Sequence, residues 1–451
     1  MSKNKGLDLG KEPIFPLLLK MSWPSITAML AMAVANLIDS FWLARLSTRA
    51  LAALTICFPI QMLFGAVGVG TGVGAGSFAA RMFGAGQIEK ARRTAGQVVL
   101  LSIALGILTI IPVLMGHDAI LRSFGATEDI LPLARQYLVL IVFGSPFLYF
   151  LMMANNLLRA EGKPLLSMYV VLAFSIVLIV LEPFLVFGWW LFPKLGIVGA
   201  ALAALISQAT AAALSFHFLR LGSSRYRLTW RCLAPSLSIC RSIYQTGLPS
   251  VSMNFVVSVV MVIYNHILAG FGPMALATLG LCFRINGLVT MILFGVGHGV
   301  MPMVAFSEGA GHHRRLVETV RVAVRCSALF ALISSLLLVV FARPILSAFS
   351  NDLELLEMAV PALRLFIAAL VLIGPSIVWI NMFIGLGKGM TAMLLMFARD
   401  VALLIPMLFI LPLHFGLTGV WMAQPLSTVL AFLMILSVSL KQLRSHLGKT
   451  P

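Results

Sequence analysis

Twelve apolar runs, each long enough to cross a lipid bilayer, follow one another along the chain at roughly 16–44, 51–80, 94–116, 130–157, 165–188, 197–219, 244–270, 275–306, 319–342, 361–385, 391–413 and 416–440. A hydrocarbon core about 30 Å thick takes about 20 apolar residues as an α-helix. The runs therefore predict twelve transmembrane helices, not the alternating strands of about ten residues that build a barrel. Composition agrees, since 60% of the 451 residues are apolar and only 10% are charged; a soluble globular domain and a disordered chain are both excluded. Five cysteines without a CxxC pair indicate neither a disulfide framework nor a metal site. Cys57 and Cys282 lie inside apolar runs, where a thiol packs as a small hydrophobe. The stretch from Met1 to Lys20 lacks the short apolar core and small-residue cleavage site of a signal peptide, so the first span is expected to serve as its own insertion signal.

The net charge of +17 collects on one side of the predicted spans. Lys3, Lys5 and Lys11 precede the first span, and the even-numbered loops carry Arg81, Lys90, Arg92, Arg93, Arg159, Lys163, Arg220, Arg225, Arg227, Arg231, Arg241, Arg314, Arg315, Arg321 and Lys388. Lys441, Arg444 and Lys449 follow the last span, whereas the opposite loops hold only Arg45, Arg49, Arg122, Lys194 and Arg343. Positive charge stays on the cytoplasmic side of a membrane, so both termini are expected in the cytoplasm. The excess charge then reflects topology and attraction to anionic lipid, with no nucleic acid as partner.

An internal repeat organises the chain. ALAALTICFPI at 50–60 matches ALATLGLCFRI at 275–285 in seven of eleven positions, at an offset of 225. The same offset relates Gly70, Gly72 and Gly74 to Gly295, Gly297 and Gly299, Pro24 to Pro249, Phe124 to Phe349, and Asn156, Gly162 and Lys163 to Asn381, Gly387 and Lys388. Each half thus holds six helices, and because six is even the halves enter the membrane in the same sense. The expected fold is an all-α polytopic membrane protein made of two parallel six-helix repeats. It comprises an N-lobe at 1–219, a cytoplasmic strap at 220–243 with five arginines and a C-lobe at 244–451, with helix kinks at Pro24 and Pro249. Gly68, Gly72 and Gly76 share one helix face and Gly70 and Gly74 another, so two neighbouring helices can approach closely.

No GxxxxGK[ST], HEXXH or GxSxG occurs, so the chain is expected neither to hydrolyse ATP nor to be an enzyme, and no cofactor or metal is implied. The chemistry is left to ionisable groups inside spans, each of which costs about 2.5–3.5 kcal/mol at mid-bilayer on insertion scales. Asp39 lies about six residues, or about 9 Å, from the outer end of the first helix, and Glu182 lies at a similar depth in the fifth. Asn36, one turn before Asp39, is placed to hydrogen-bond such a pair. Two neighbouring carboxyls away from water can carry a shared proton. In the second half Arg399 and Asp400 are adjacent in the eleventh helix, about 100° apart, and are expected to need partners on other helices. Arg284 in the eighth helix is the expected counter-ion of Asp400, and His298 in the same helix is a candidate proton relay or a hydrogen-bonded interior residue.

Several stretches resemble the multidrug and toxic compound extrusion (MATE) family. They are N36-L-I-D39, the A44-R45-L turn, F83-G-A-G86, R159-A-E-G-K163, E182-P-F-L-V-F-G188, T246-G-L-P249 and A269-G-F-G272, in an order that covers nearly the whole chain. The resemblance implies twelve helices in two lobes around a central cleft, exporting amphipathic organic cations by antiport with protons or sodium. Leu178 and Ala204 stand where the family often has the Asn and Thr of a sodium site, and Val257 where one branch has a Glu. With those oxygens absent, proton coupling through Asp39 is the favoured expectation and sodium the lesser one. A flippase for lipid-linked precursors, from the same superfamily, is the alternative; it calls for a cationic cleft, and few Lys or Arg are intramembrane. The expected partners are small amphipathic molecules, protons and membrane lipid, with a single chain as the transporting unit in a bacterial inner membrane.

Overall fold

Inside a bilayer only a helix or a closed barrel satisfies every main-chain polar group without water, and the apolar runs fold as helices. A computed structural model of the chain describes residues 6–190, 192–220, 224–349 and 352–448. Lys3, Lys5 and Lys449 of the charge tally, and residues 221–223 of the strap, lie outside them. The helices are α1 (Ile14–Leu46), α2 (Thr48–Gly84), α3 (Ile88–Ser123), α4 (Leu131–Ala160), α5 (Pro164–Phe187), α6 (Ile197–Arg220), α7 (Leu237–Ala269), α8 (Pro273–Gly309) and α9 (His313–Val340), then α10 (Ala342–Ser347), α11 (Leu353–Phe366), α12 (Leu370–Gly385), α13 (Gly389–Phe397) and α14 (Ile405–Leu447), with a π-helical segment at Ala398–Leu404. No strand occurs among the described residues.

The spans number twelve among the described residues. Helices α1 to α9 are each long and apolar enough to cross, and α11 with α12 forms a tenth span bent by 46°. The helical run Gly389–Leu447 is 59 residues long, about 90 Å at about 1.5 Å per residue and so too long for one crossing. It turns at Gly416, whose φ of 57° and ψ of −139° break the helix; the run therefore supplies two spans.

Packing divides the chain into two units at places other than the loops. The first unit contains residues 27–251 with the N-terminal tail, and the second contains residues 9–26 and 252–451. The sequence division at 219/220 and 243/244 thus differs from the division by packing, which falls inside α1 and α7. Both cuts follow an intrahelical proline, Pro24 in α1 and Pro249 in α7, and Thr27 and Ser252, where the new unit begins in each case, are related by the repeat offset. A proline ring removes one i→i−4 hydrogen bond, which marks a natural point for a helix to change its packing partner.

Glycines make room for the exchanged half-helices. A Cβ on Gly74 of α2 would meet the main-chain oxygen of Ile243 and the backbone of Gly247, both on the first half of α7. In the second unit a Cβ on Gly299 of α8 would lie 2.6 Å from Ser22 Oγ on the first half of α1. The other glycine face expected on α2 packs against α4, where Gly72 faces Asn156 and Met152. Substitution at any of these would force backbones apart, as small residues at membrane helix interfaces require.

The RAEGK stretch anchors the strap to the first unit. Glu161, 3% exposed, accepts from Ser224 Oγ at 3.0 Å and the Arg225 main-chain N–H at 2.6 Å, and pairs with Lys163 at 2.9 Å. Further along, Gln97 donates to the Ala234 carbonyl at 2.8 Å and accepts from the Ser236 N–H at 3.0 Å. All five cysteines are free, with Cys57 and Cys282 fully buried in apolar packing as expected.

Candidate functional site

A seam between α1, α5 and α6 in the first unit holds the two acids singled out in the sequence. Ala35 of α1, Leu178 and Leu185 of α5 and Ala203 of α6 are all buried there in one apolar cluster, flanked by Ala204. Side chains four apart share a helix face, which places Asp39 one turn above Ala35, and Glu182 between Leu178 and Leu185. Glu182 is fully buried and Asp39 half-buried. The two carboxyls act on each other, by charge and by a side-chain hydrogen-bonding contact, and Glu182 has no other hydrogen-bond partner among the described residues. No Lys, Arg or His forms an ion pair with either acid among those residues. Burying a charge without a partner is strongly unfavourable, and no protein cation offsets one here among the described residues.

Two polar residues outside the sequence expectation complete the surroundings. Tyr137 of α4, 2% exposed, lies within electrostatic reach of both Asp39 and Glu182, and Gln61 of α2 donates to its hydroxyl at 3.2 Å. Their signal in the sequence is the same as that of Asp39, a polar side chain in an apolar span. Among the described residues no hydrogen bond joins the Asn36 side chain to the pair; the residue is exposed, and its main-chain carbonyl accepts from Ser40. Leu178 and Ala204 present only hydrocarbon to the seam, and Val257 of α7 is 54% exposed.

The second unit solves its charge problem internally, and differently from expectation. Arg399 and Asp400 pair with each other, Nε to Oδ1 at 2.7 Å and Nη2 to Oδ2 at 3.0 Å. The expected separation of adjacent residues by 100° is overcome by the length of the arginine side chain within the π-helical turn, and a two-pronged pair of this kind is a strong one. Arg284 is exposed and is not the counter-ion of Asp400. His298 is half-buried on α8 between the buried Gly297 and Gly299. Pro24 and Pro249 lie inside continuous helices at the packing cuts described above.

At the far end of the second unit, the structure brings together Glu308, His313 and His446. The sequence showed no such group, because its members come from α8, α9 and the end of α14.

Twelve spans in two units, with a carboxyl pair inside one of them, define a polytopic membrane protein. The MatE family model matches residues 24–184 and 249–410, two segments that begin at the paired prolines. The multidrug export protein MepA of Staphylococcus aureus (strain N315) is 26% identical over 430 residues, 94% of each chain, and MepA of Staphylococcus haemolyticus (strain JCSC1435) is 26% identical over 430 residues. Among solved structures, an outward-facing multidrug resistance MATE family transporter of the MOP superfamily superposes with a TM-score of 0.92 at 25% identity over 99% of both chains. A MOP superfamily transporter from Pyrococcus furiosus, described as having a binding pocket of reverse polarity, gives 0.91 at 25% identity over 99% of both. The chain belongs to the MatE family.

Proposed function

We propose that the chain is a secondary active exporter of amphipathic organic cations, driven by proton antiport, with both termini on the cytoplasmic side of a bacterial inner membrane. The observation that carries the reading is the carboxyl pair Asp39–Glu182, which has no protein cation beside it among the described residues. A proton or an organic cation can each balance such a site, and competition between them is antiport. Leu178 and Ala204 support a proton over sodium, because a hard cation needs several oxygen ligands. The relatives named multidrug export proteins support the substrate class. One-for-one exchange of a proton for a monovalent cation moves no net charge, so about one pH unit, about 1.4 kcal/mol, sustains about a tenfold gradient of the cation; about 100 mV adds about 2.3 kcal/mol only when more than one proton is exchanged or the substrate is neutral.

The test is uptake of a fluorescent organic cation into proteoliposomes under imposed gradients. A pH gradient in sodium-free buffer is expected to drive uptake. Activity that requires millimolar sodium and ignores the pH gradient overturns the proton assignment. A cysteine placed at position 225 is expected to resist non-permeant reagents applied to intact cells; labelling there reverses the orientation.

A further inference from the structure

The turn between α8 and α9 is tight. Glu308 is the last residue but one of α8, His313 is the first of α9, and Gly311 between them has a φ of 70°. The end of α14 brings His446, 3% exposed, against this turn. His446 Nε2 lies 3.1 Å from Glu308 Oε2, and His313 Nδ1 lies 3.9 Å from the same oxygen. All three ligand atoms fall within 4.8 Å of one another, and all three residues belong to the second unit. His313 Nδ1 is buried and has no hydrogen-bond partner among the described residues.

We propose that Glu308, His313 and His446 form a binding site for a divalent transition-metal ion of the zinc class. Two imidazoles and one carboxylate are the donor set that zinc takes when it keeps a fourth, open position for water, and imidazole favours zinc, nickel and copper over magnesium or calcium. Donors around a tetrahedral zinc sit about 3.4 Å apart, so the Glu308–His446 spacing is already close and His313 has only a short distance to move. The other ring nitrogen of His446 has both kinds of partner within reach. Its Nδ1 lies 2.9 Å from the main-chain oxygen of Gln442, which can only accept, and 3.1 Å from the Gln442 amide nitrogen, which can only donate; the tautomer protonated toward the carbonyl leaves Nε2 free to ligate. Lys388 donates to the Gln442 amide oxygen at 2.7 Å and fixes that side chain in turn. The bound ion would tie the last turn of α14 to the α8–α9 turn.

The full-length chain, purified through a tag without histidine and stripped with a chelator, is titrated with zinc alone against a chromophoric competitor. Binding of about one equivalent is expected, weakened about tenfold or more by His313→Ala, a change that leaves the Glu308–His446 contact in place. Zinc is expected to raise the unfolding midpoint of the parent protein and not that of the variant, and cobalt(II) to give the visible bands of a four-coordinate site only in the parent. Zinc affinity unchanged in His313→Ala and in Glu308→Gln, or no saturable binding at all, overturns the proposal. The cluster is then a histidine–carboxylate hydrogen bond with a bystander histidine.

Discussion

Asp39 in the first unit and Tyr264 in the second are related by the repeat offset, yet the chemistry around them is opposite. Beside Asp39 stands a second acid, Glu182, with no protein cation in contact among the described residues. Tyr264, fully buried, donates to Gln424 Oε1 at 3.2 Å and lies within electrostatic reach of Asp400, which Arg399 already neutralises. One unit holds two acids with no protein cation in contact among the described residues, and the other holds an acid already paired with an arginine. On the function proposed above, two copies of one six-helix plan divide the work, and the ionic group of the second serves structure.

Substitutions can break or sharpen this contrast. The largest expected effect is that of Asp39→Asn, which keeps the shape of the side chain but cannot release a proton. Coupled uptake in proteoliposomes should fall to the level of empty vesicles while the protein remains folded. Uptake at the parent rate would make the first-unit pair as structural as that of the second. Next comes Asp400→Leu, which strands a buried arginine and should destabilise the protein by about 3–5 kcal/mol. The double variant Arg399→Leu/Asp400→Leu should recover most of that loss in thermal or chemical unfolding, and equal instability of single and double variants would show that the pair is not self-contained.

Removal of the other buried acid should act in the opposite direction. Glu182→Leu deletes a fully buried carboxyl that no protein cation balances among the described residues and is expected to raise stability by about 1–3 kcal/mol while impairing coupling. A loss of stability comparable to that of Asp400→Leu would erase the distinction between the units. The smallest effect is expected from Tyr137→Phe, which removes one hydroxyl bonded to Gln61. A loss of about 0.5–1.5 kcal/mol with an altered pH dependence of uptake would place Tyr137 in the carboxyl network; an unchanged pH profile would limit it to packing.

The spans and the repeat were legible because bilayer thickness and main-chain hydrogen bonding leave few solutions, and because Pro24, Gly74 and Asn156 recur in one register as Pro249, Gly299 and Asn381. Asp39 and Glu182 stood out for the same reason, as acids where water is absent. Packing partners were less legible. Ideal helical geometry put Arg399 and Asp400 on different faces, and only the π-helical turn and the reach of the arginine bring them together. Asn36 shares a helix with Asp39 but is exposed and makes no side-chain hydrogen bond to it among the described residues, since one turn of helix fixes proximity without fixing which rotamer meets which neighbour. Tyr137 and His446 depend on helices distant in sequence, and no local pattern reports them.

The prolines that divide α1 and α7 also set the order in which the protein can be completed. Residues 9–26 leave the ribosome first, yet Gly295 and Gly299, against which Ile26 and Ser22 lie, are made about 270 residues later. At about 5–20 residues per second, that half-helix waits about 15–55 s for its final neighbour. The first unit has all its residues once residue 251 has been made, whereas the second cannot close without a segment synthesised well before the rest of it. A chain severed in the strap would therefore yield two unfinished pieces, each carrying a half-helix that belongs to the other.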